Sequence, residues 1–408
     1  MTATELLAQI ADIGRDPVRG GYSRHLFDDA DLALRKWFAD RAQEQGLRLE
    51  QDGNANMWAW WDAGGTTASA APAVVTGSHL DSVPGGGAYD GPLGVVSALA
   101  AVQALREEGF APSRPIAVCV FAEEEGGRFN APCLGSRLLV GDLGLPALAD
   151  RVDAAGHSFA EVWAGAGRDV DRIGADPARL ASIGVFVELH VEQGLDLAHR
   201  GAPVAVAEGI LAHGRWRATF TGEGNHAGTT PMDGRRDPVV AAAQAVLAVR
   251  RIAAASGSLV RGTVGRVAAV PGGSNVIASR AQVWVDVRAA QEGEVRAAVA
   301  RLAAELTEIA AAEGCDVELV EESFSPRVDF DPVLRARLAR LLGDVPVIPT
   351  GAGHDAGILS AHVPSAMLFV RNPTGVSHAP GESAEAADIE AGVGALTAVL
   401  RELAGARG

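Results

Sequence analysis

Lysine is almost missing from this chain: Lys36 stands alone among 408 residues. Arginine and alanine abound, so biased codon usage accounts for the gap without any lysine-avoiding function. Cysteine is scarce too. Cys119, Cys133 and Cys315 are odd in number and form no CxxC pair, which excludes a disulfide framework and suits a reducing cytoplasm. Positive charge is short, with 35 basic side chains against 51 acidic ones and a net charge of −16. That balance argues against nucleic acid or anionic membrane as the main partner. The surplus acid does not by itself signal cation binding, because most surface acids serve solvation. The most apolar helical segment, VVAAAQAVLAVRRIAAA, is broken by arginines and reads as too short to span a bilayer. The opening MTATELLAQIADIGRD carries acids and lacks the basic-then-apolar pattern of a secretory signal. A cytoplasmic protein with no membrane and no nucleic-acid partner is expected.

Two catalytic signatures are also missing. The glycines Gly85-Gly86-Gly87 are not followed by the GK[ST] ending that gives a phosphate loop its lysine and magnesium contact. No G-x-S-x-G nucleophile elbow occurs. Cys133, in NAPCLGS, reads as a buried or bystander thiol rather than a nucleophile.

What is present is a recurring device. PAVVTG (72–77) is a short buried strand with His79 just beyond it; RPIAVCVFA (114–122) runs into Glu123-Glu124-Glu125; IGVFVELH (183–190) ends in His190. Helical patterns fall between them, over LALRKWFADRAQEQG (32–46) and GPLGVVSALAAVQALREEG (91–109). Strands alternating with helices imply a mostly parallel sheet, whose ligands gather beyond the carboxyl ends of its strands. From about Ala212 the texture changes to β-α-β-β-α-β, the order of a split-βαβ unit. GILSAHVPSAMLFV (357–370) then returns to the earlier style. The expected fold is therefore α/β: a large mixed, mostly parallel sheet domain flanked by helices, formed by 1–211 and 326–408. An inserted ferredoxin-like α+β domain spans 212–325.

The strand ends carry the chemistry. His79 and Asp81 share a face of an extended segment, so one can bind a metal while the other takes the ring's second nitrogen. Asp90 heads a helix beyond a glycine loop, and His378 sits in the polar stretch TGVSHAPGE. Taken singly, His79 also reads as a structural histidine and the glutamates as a solvated strand exit. Their recurrence at one end of one sheet favours a site for one or two divalent ions of the zinc or manganese type. The residues themselves do not rank Glu123, Glu124 and Glu125.

Together, GSHLDSVPGGGAYDGPLGV, FAEEEGGRFNAPCLGSR, VELHVEQG, GEGNHAGTTPM, PGGSNVI, DVR, GAGHDA and GVSHAPGE resemble the hydantoinase/carbamoylase family of amidohydrolases. That family lies within the wider group of two-metal aminopeptidases and aminoacylases. The resemblance covers nearly the whole chain. It implies that His79, Asp90, Glu125, His190 and His378 ligate two divalent ions (zinc, manganese, cobalt or nickel), with Asp90 bridging. Glu124 matches the general base and Asp81 the residue orienting His79, leaving Glu123 a bystander. Gln193 matches a contact to the carbamoyl amide. His226 matches a group polarising the scissile carbonyl, in its own or a neighbouring subunit's site. Asn275 and Arg288 match a substrate-carboxylate pair, and Gly353 a backbone contact to substrate. The implied activity is hydrolysis of the ureido C–N bond of an N-carbamoyl-L-amino acid or related ureido acid such as allantoate, by a homodimer. An N-acyl or peptide bond is the alternative substrate for the same metals. Tyr89 stands where phenylalanine is common, and Ala278 where proline is frequent; neither is an expected ligand.

Overall fold

The computed structural model describes residues 1–63, 71–256 and 260–406. They form two compact units, Met1–Gly209 with Asp329–Gly408, and Ile210–Val328.

The first unit is built on a nine-stranded sheet. Its centre is four neighbouring parallel strands in the order Ile116–Phe121, Ala73–His79, Ile183–Val191 and Ser365–Val370. Ala73–His79, Ile116–Phe121 and Ser365–Val370 are buried along their whole length. This is why they read as unbroken apolar runs rather than alternating ones. Met57–Trp61 and Val204–Ile210 join antiparallel on either side. The helix Pro92–Glu107 starts with a proline in its first turn and buries twelve residues. It shares the core with Ala386–Ala404 and the sheet residues Val74, Val118 and Val187. The amphipathic helix Asp29–Glu44 is capped by Asp28, whose side chain accepts from the Asp31 amide.

The second unit has a four-stranded antiparallel sheet ordered Asp316–Ser325, Ala212–Thr221, Arg280–Ala289, Val260–Val270. Burial alternates along Ala212–Thr221 and Arg280–Ala289, as expected of strands with one covered face. The covering helices are Pro238–Ala255 and Glu292–Ala312, the latter burying Val295, Ala298, Leu302, Leu306 and Ile309 at helical spacing. Pro238–Ala255 has 18 residues and is long and apolar enough to cross a membrane by those two measures. The sequence expectation that it is too short is thereby corrected. Its Ala241, Ala245, Ala248 and Ile252 side chains are buried with Val283, Val285 and Val287 of the sheet. Packing, rather than length, makes it a core helix.

One buried ion pair ties a helix to the sheet's edge. Arg35 donates to Asp31 at 2.6 Å and to the Ala55 carbonyl at 2.7 Å, while Asp31 also accepts from the Phe27 amide. Both side chains are more than nine-tenths buried. Breaking such a pair from one side leaves an uncompensated polar group, at a cost of about 3 kcal/mol or more. Arg35→Ala is expected to lower unfolding stability by about that amount, and Arg35→Ala with Asp31→Ala by clearly less than the two single losses added. Chemical denaturation of the three variants measures this, and additive losses would refute the coupling.

Candidate metal centre

The parallel register brings the strand ends together. His79 closes Ala73–His79, His190 lies one residue from the end of Ile183–Val191, and the Glu123–Glu125 loop follows Ile116–Phe121. The His79 and His190 rings lie 5.8 Å apart between centroids. Asp90 precedes the helix that starts at Pro92, and between them Gly91 adopts φ +84°. A Cβ there would lie 2.4 Å from the His79 ring. Only glycine lets this backbone pass across the imidazole.

Both Nδ1 atoms are engaged with backbone, and His190 Nε2 also accepts from the Gly91 amide at 3.2 Å. His79 Nδ1 is 3.1 Å from the Asp81 carbonyl oxygen, and His190 Nδ1 is 2.9 Å from that of Val191. A carbonyl only accepts, so both Nδ1 atoms carry hydrogen and both Nε2 atoms face inward. His79 Nε2 lies 3.6 Å from Asp90 Oδ1 and 3.7 Å from Glu124 Oε2, and His190 Nε2 3.2 Å from Asp90 Oδ1. On the other side, His378 Nε2 lies 3.4 Å from both Asp90 Oδ2 and Glu125 Oε2. Two groups result, His79–Asp90–His190 and Asp90–Glu125–His378, each with ligand atoms within 4.8 Å of one another. Asp90 belongs to both.

The donor set fits a divalent ion. Ligand bonds of about 2.0–2.2 Å place neighbouring donor atoms roughly 3–3.6 Å apart. Among the described residues, His79 Nε2 and Glu125 Oε1 are buried without a hydrogen-bond partner, a costly state for polar atoms. Without a cation the carboxylates and imidazoles compensate one another. Burial alone would lower the His79 pKa, but Glu124, Asp81 and Asp90 lift it well above the ordinary histidine range. Burial would raise Asp90, but bonds from His190 and His79 hold it well below the usual carboxylate range. Glu124 is raised well above that range, by burial first and with His79 opposing. Glu125 is pushed up to about 8, again by burial first and then by Asp90.

Neighbouring groups shape this cluster. The Asp81 carboxylate accepts from the Glu124 and Glu125 amides at 3.1 and 3.0 Å, and lies 3.5 Å from His79 Nδ1. Glu123 does not idle beside the site: it accepts from the Arg128, Phe129 and Leu26 amides and thereby folds the loop. Nor is Cys133 remote, because its thiol donates to Glu124 Oε1 at 3.2 Å. Gln193 Nε2 donates to Asp90 Oδ2 at 2.8 Å and to Ser377 at 2.9 Å, leaving its buried Oε1 without a partner. A third group, Glu188–His190–His354, was not foreseen. Glu188 accepts from Ser78 and from the Ala356 amide, joining two strands to the helix Asp355–Leu359. Its signal was available in VELH, where Glu188 and His190 stand two apart on one strand face. Burial holds the His354 pKa well below the ordinary histidine range. Gly353, beside it, would point a Cβ into open space.

The remaining expected residues belong to the second unit. Asn225–His226 pairs antiparallel with Val276–Ile277, and the Ala227 amide donates to the Asn275 carbonyl at 3.0 Å, so His226 and Asn275 share one short ladder. His226 Nδ1 accepts from the Gly228 and Thr229 amides at 3.0 and 3.2 Å. Its ring hydrogen is therefore on the exposed Nε2. Arg288 makes a two-pronged contact to Asp286 at 2.7 and 3.0 Å, and Arg215 lies 3.6 Å from the same carboxylate.

Known proteins resemble this chain over nearly its whole length. Residues 75–402 match the model of Peptidase family M20/M25/M40. The chain belongs to that family. At finer grain, it is 37% identical to an N-carbamoyl-L-amino acid amidohydrolase of Geobacillus stearothermophilus, covering 98% of this chain and 97% of that one. It is 31% identical to the allantoate amidohydrolase of Escherichia coli K12, over 98% and 97%. The solved structure of an amidase of the hydantoinase/carbamoylase family from Burkholderia vietnamiensis superposes with a TM-score of 0.86 at 31% identity, over 98% and 96%.

The ion-free cluster should be sensitive to alkali. Glu125 near 8 and Glu123 near 7, the latter raised by burial and then Asp81, both exceed the ordinary glutamate value of 4.5. The folded state then keeps protons that the unfolded chain has released, so stability falls as pH rises through these values. The raised His79 acts in the same direction, its contribution lost as pH climbs through its folded value. His354, depressed by burial, opposes this only below the unfolded histidine value near 6.5. Chelator-stripped protein is expected to lose Tm between about pH 6.5 and 8.5, and added manganese or zinc to suppress most of the loss. A flat or rising Tm over that interval in stripped protein would count against the arrangement.

Proposed function

We propose that this chain is a metal-dependent amidohydrolase that cleaves the carbamoyl C–N bond of an N-carbamoyl-L-amino acid or related ureido acid, releasing ammonia and carbon dioxide. The observation that carries the reading is the pair of ligand groups sharing Asp90, with Glu124 beside one and the Gln193 amide against the shared acid. The relatives named above support the substrate class. His79, Asp90 and His190 would hold one divalent ion, and Asp90, Glu125 and His378 a second, drawn from zinc, manganese, cobalt or nickel. When bound, such ions supply Lewis-acid polarisation and lower the pKa of water.

The chain's own residues do the rest. Glu124 takes the proton of the attacking water and returns it to the departing nitrogen. Burial raises its basicity, and the Cys133 thiol, donating to Oε1, orients it. Gln193 Oε1, lacking another partner, accepts from the ureido NH2. His226 presents Nε2–H, a donor suited to the carbonyl oxygen as it gains negative charge. Arg288 and Asn275 receive the substrate carboxylate, a guanidinium being its natural planar partner, and Gly353 offers its backbone. Asp81 orients His79 and holds the Glu124–Glu125 backbone. The enzyme is read as a cytoplasmic homodimer, in keeping with its three buried free thiols.

Ammonia detection across N-carbamoyl-L-amino acids, allantoate and N-acetyl amino acids tests the substrate class. Ammonia from the ureido acids is expected, and acetate release without it would favour an aminoacylase instead. Glu124→Gln is expected to cut kcat by roughly 10²–10⁴-fold with metal content retained. Arg288→Ala is expected to raise KM about tenfold or more, equally without metal loss. An unchanged KM would remove Arg288 from the carboxylate site.

A further inference from the structure

The loop that carries Asp90 is held by a residue outside both ligand groups. Glu382, four residues past His378, is 94% buried, and its Oε2 accepts from the Tyr89 amide at 2.8 Å and the Asp90 amide at 3.0 Å. The contact is close-packed: a Cβ on Gly87 would sit 2.1 Å from Glu382 Oε2 and 2.3 Å from its carboxyl carbon. A glycine at 87 is therefore what lets the carboxylate reach across. Glu382 Oε1 has no hydrogen-bond partner among the described residues, so the hydrogen bonds seen for this side chain are the two that Oε2 accepts from the loop amides. A single carboxylate thus fastens the backbone of Asp90 to the loop that presents His378, and those two side chains face each other at 3.4 Å.

We propose that Glu382 is a positioning residue that presets Asp90 and His378 for a cation. This rests on the reading of both as ligands. A backbone amide fixed by a charged acceptor is a strong, directional restraint, and residues behind ligands commonly govern affinity as much as orientation. The alternative is a merely structural carboxylate, whose loss would lower stability without altering the ions bound.

Full-length protein, its Glu382→Ala variant and its Glu382→Gln variant are stripped of metal and titrated with cobalt(II) alone. Chelator competition gives affinity, and visible absorption reports the ligand environment. Glu382→Ala is expected to weaken cobalt binding by at least about tenfold and to change the absorption bands. Glu382→Gln keeps one carbonyl oxygen for the Tyr89 and Asp90 amides and is expected to stay within about threefold of the parent. If Glu382→Ala does not fold, Glu382→Asp replaces it, since its shorter arm withdraws the acceptor and should produce the same loss. Parental affinity and spectrum in the folded alanine or aspartate variant would overturn the inference alone. Failure of the parent to bind cobalt would instead overturn the metal reading beneath it, and this inference with it.

Discussion

The structure turns on the concentration of negative charge at one end of a buried sheet. Asp81, Asp90, Glu124, Glu188 and Asp355 are all nearly inaccessible to water, and carboxylates so placed cannot all ionise without compensation. In the ion-free chain that compensation is protonation, seen in the raised pKa values of Glu124, Glu125, Glu188 and Asp355, in each case with burial the first cause. A pair of divalent ions would compensate it differently, by replacing protons with charge that stays in place. The Nε2 atoms of His79 and His190 both face Asp90 at the centre of this cluster.

Other buried acids accept hydrogen bonds from backbone amides. Glu123, Asp81 and Glu382 each accept from two or more main-chain amides in turns that carry or flank a candidate ligand. Glu188 joins the Ser78 hydroxyl and the Ala356 amide. The same chemical group thus serves two purposes, separated by what it faces. Carboxylates that accept amides shape loops, Asp81 doing so while also lying 3.5 Å from His79 Nδ1, and those facing imidazole Nε2 atoms gather at the centre. This division explains how glycine-rich turns hold side chains at defined separations although their own backbones are permissive.

Much of this was legible in the sequence because it depends on period and position. Buried parallel strands write themselves as apolar runs, so Ala73–His79, Ile116–Phe121 and Ile183–Val191 could be read, along with the polar residue at each tip. The alternating strands of the second unit were as plain. What escaped was contact between residues far apart in the chain. Glu382 lies 292 positions from Asp90, and Glu188 lies 168 from Ala356; no local pattern records such pairings. Glu123 and Glu124 are chemically identical neighbours, and only the fold reveals that one faces amides and the other His79. Cys133 was passed over for a related reason: its left-handed backbone, φ +53°, turns the thiol toward Glu124, and composition gives no hint of that.

The second unit uses the same economy without needing charge. His226 is exposed, yet two amides of the following turn fix its tautomer by donating to Nδ1. With its Nδ1 lone pair taken by two amides, the ring presents Nε2–H as a hydrogen-bond donor. Glu124, by contrast, is buried beside His79, and burial raises its pKa well above the ordinary carboxylate range. Asp286 lies between two arginines, accepting a two-pronged contact from Arg288 with Arg215 3.6 Å away. In both units the chemical role of a side chain is decided by which of its atoms the backbone or a neighbour has already claimed.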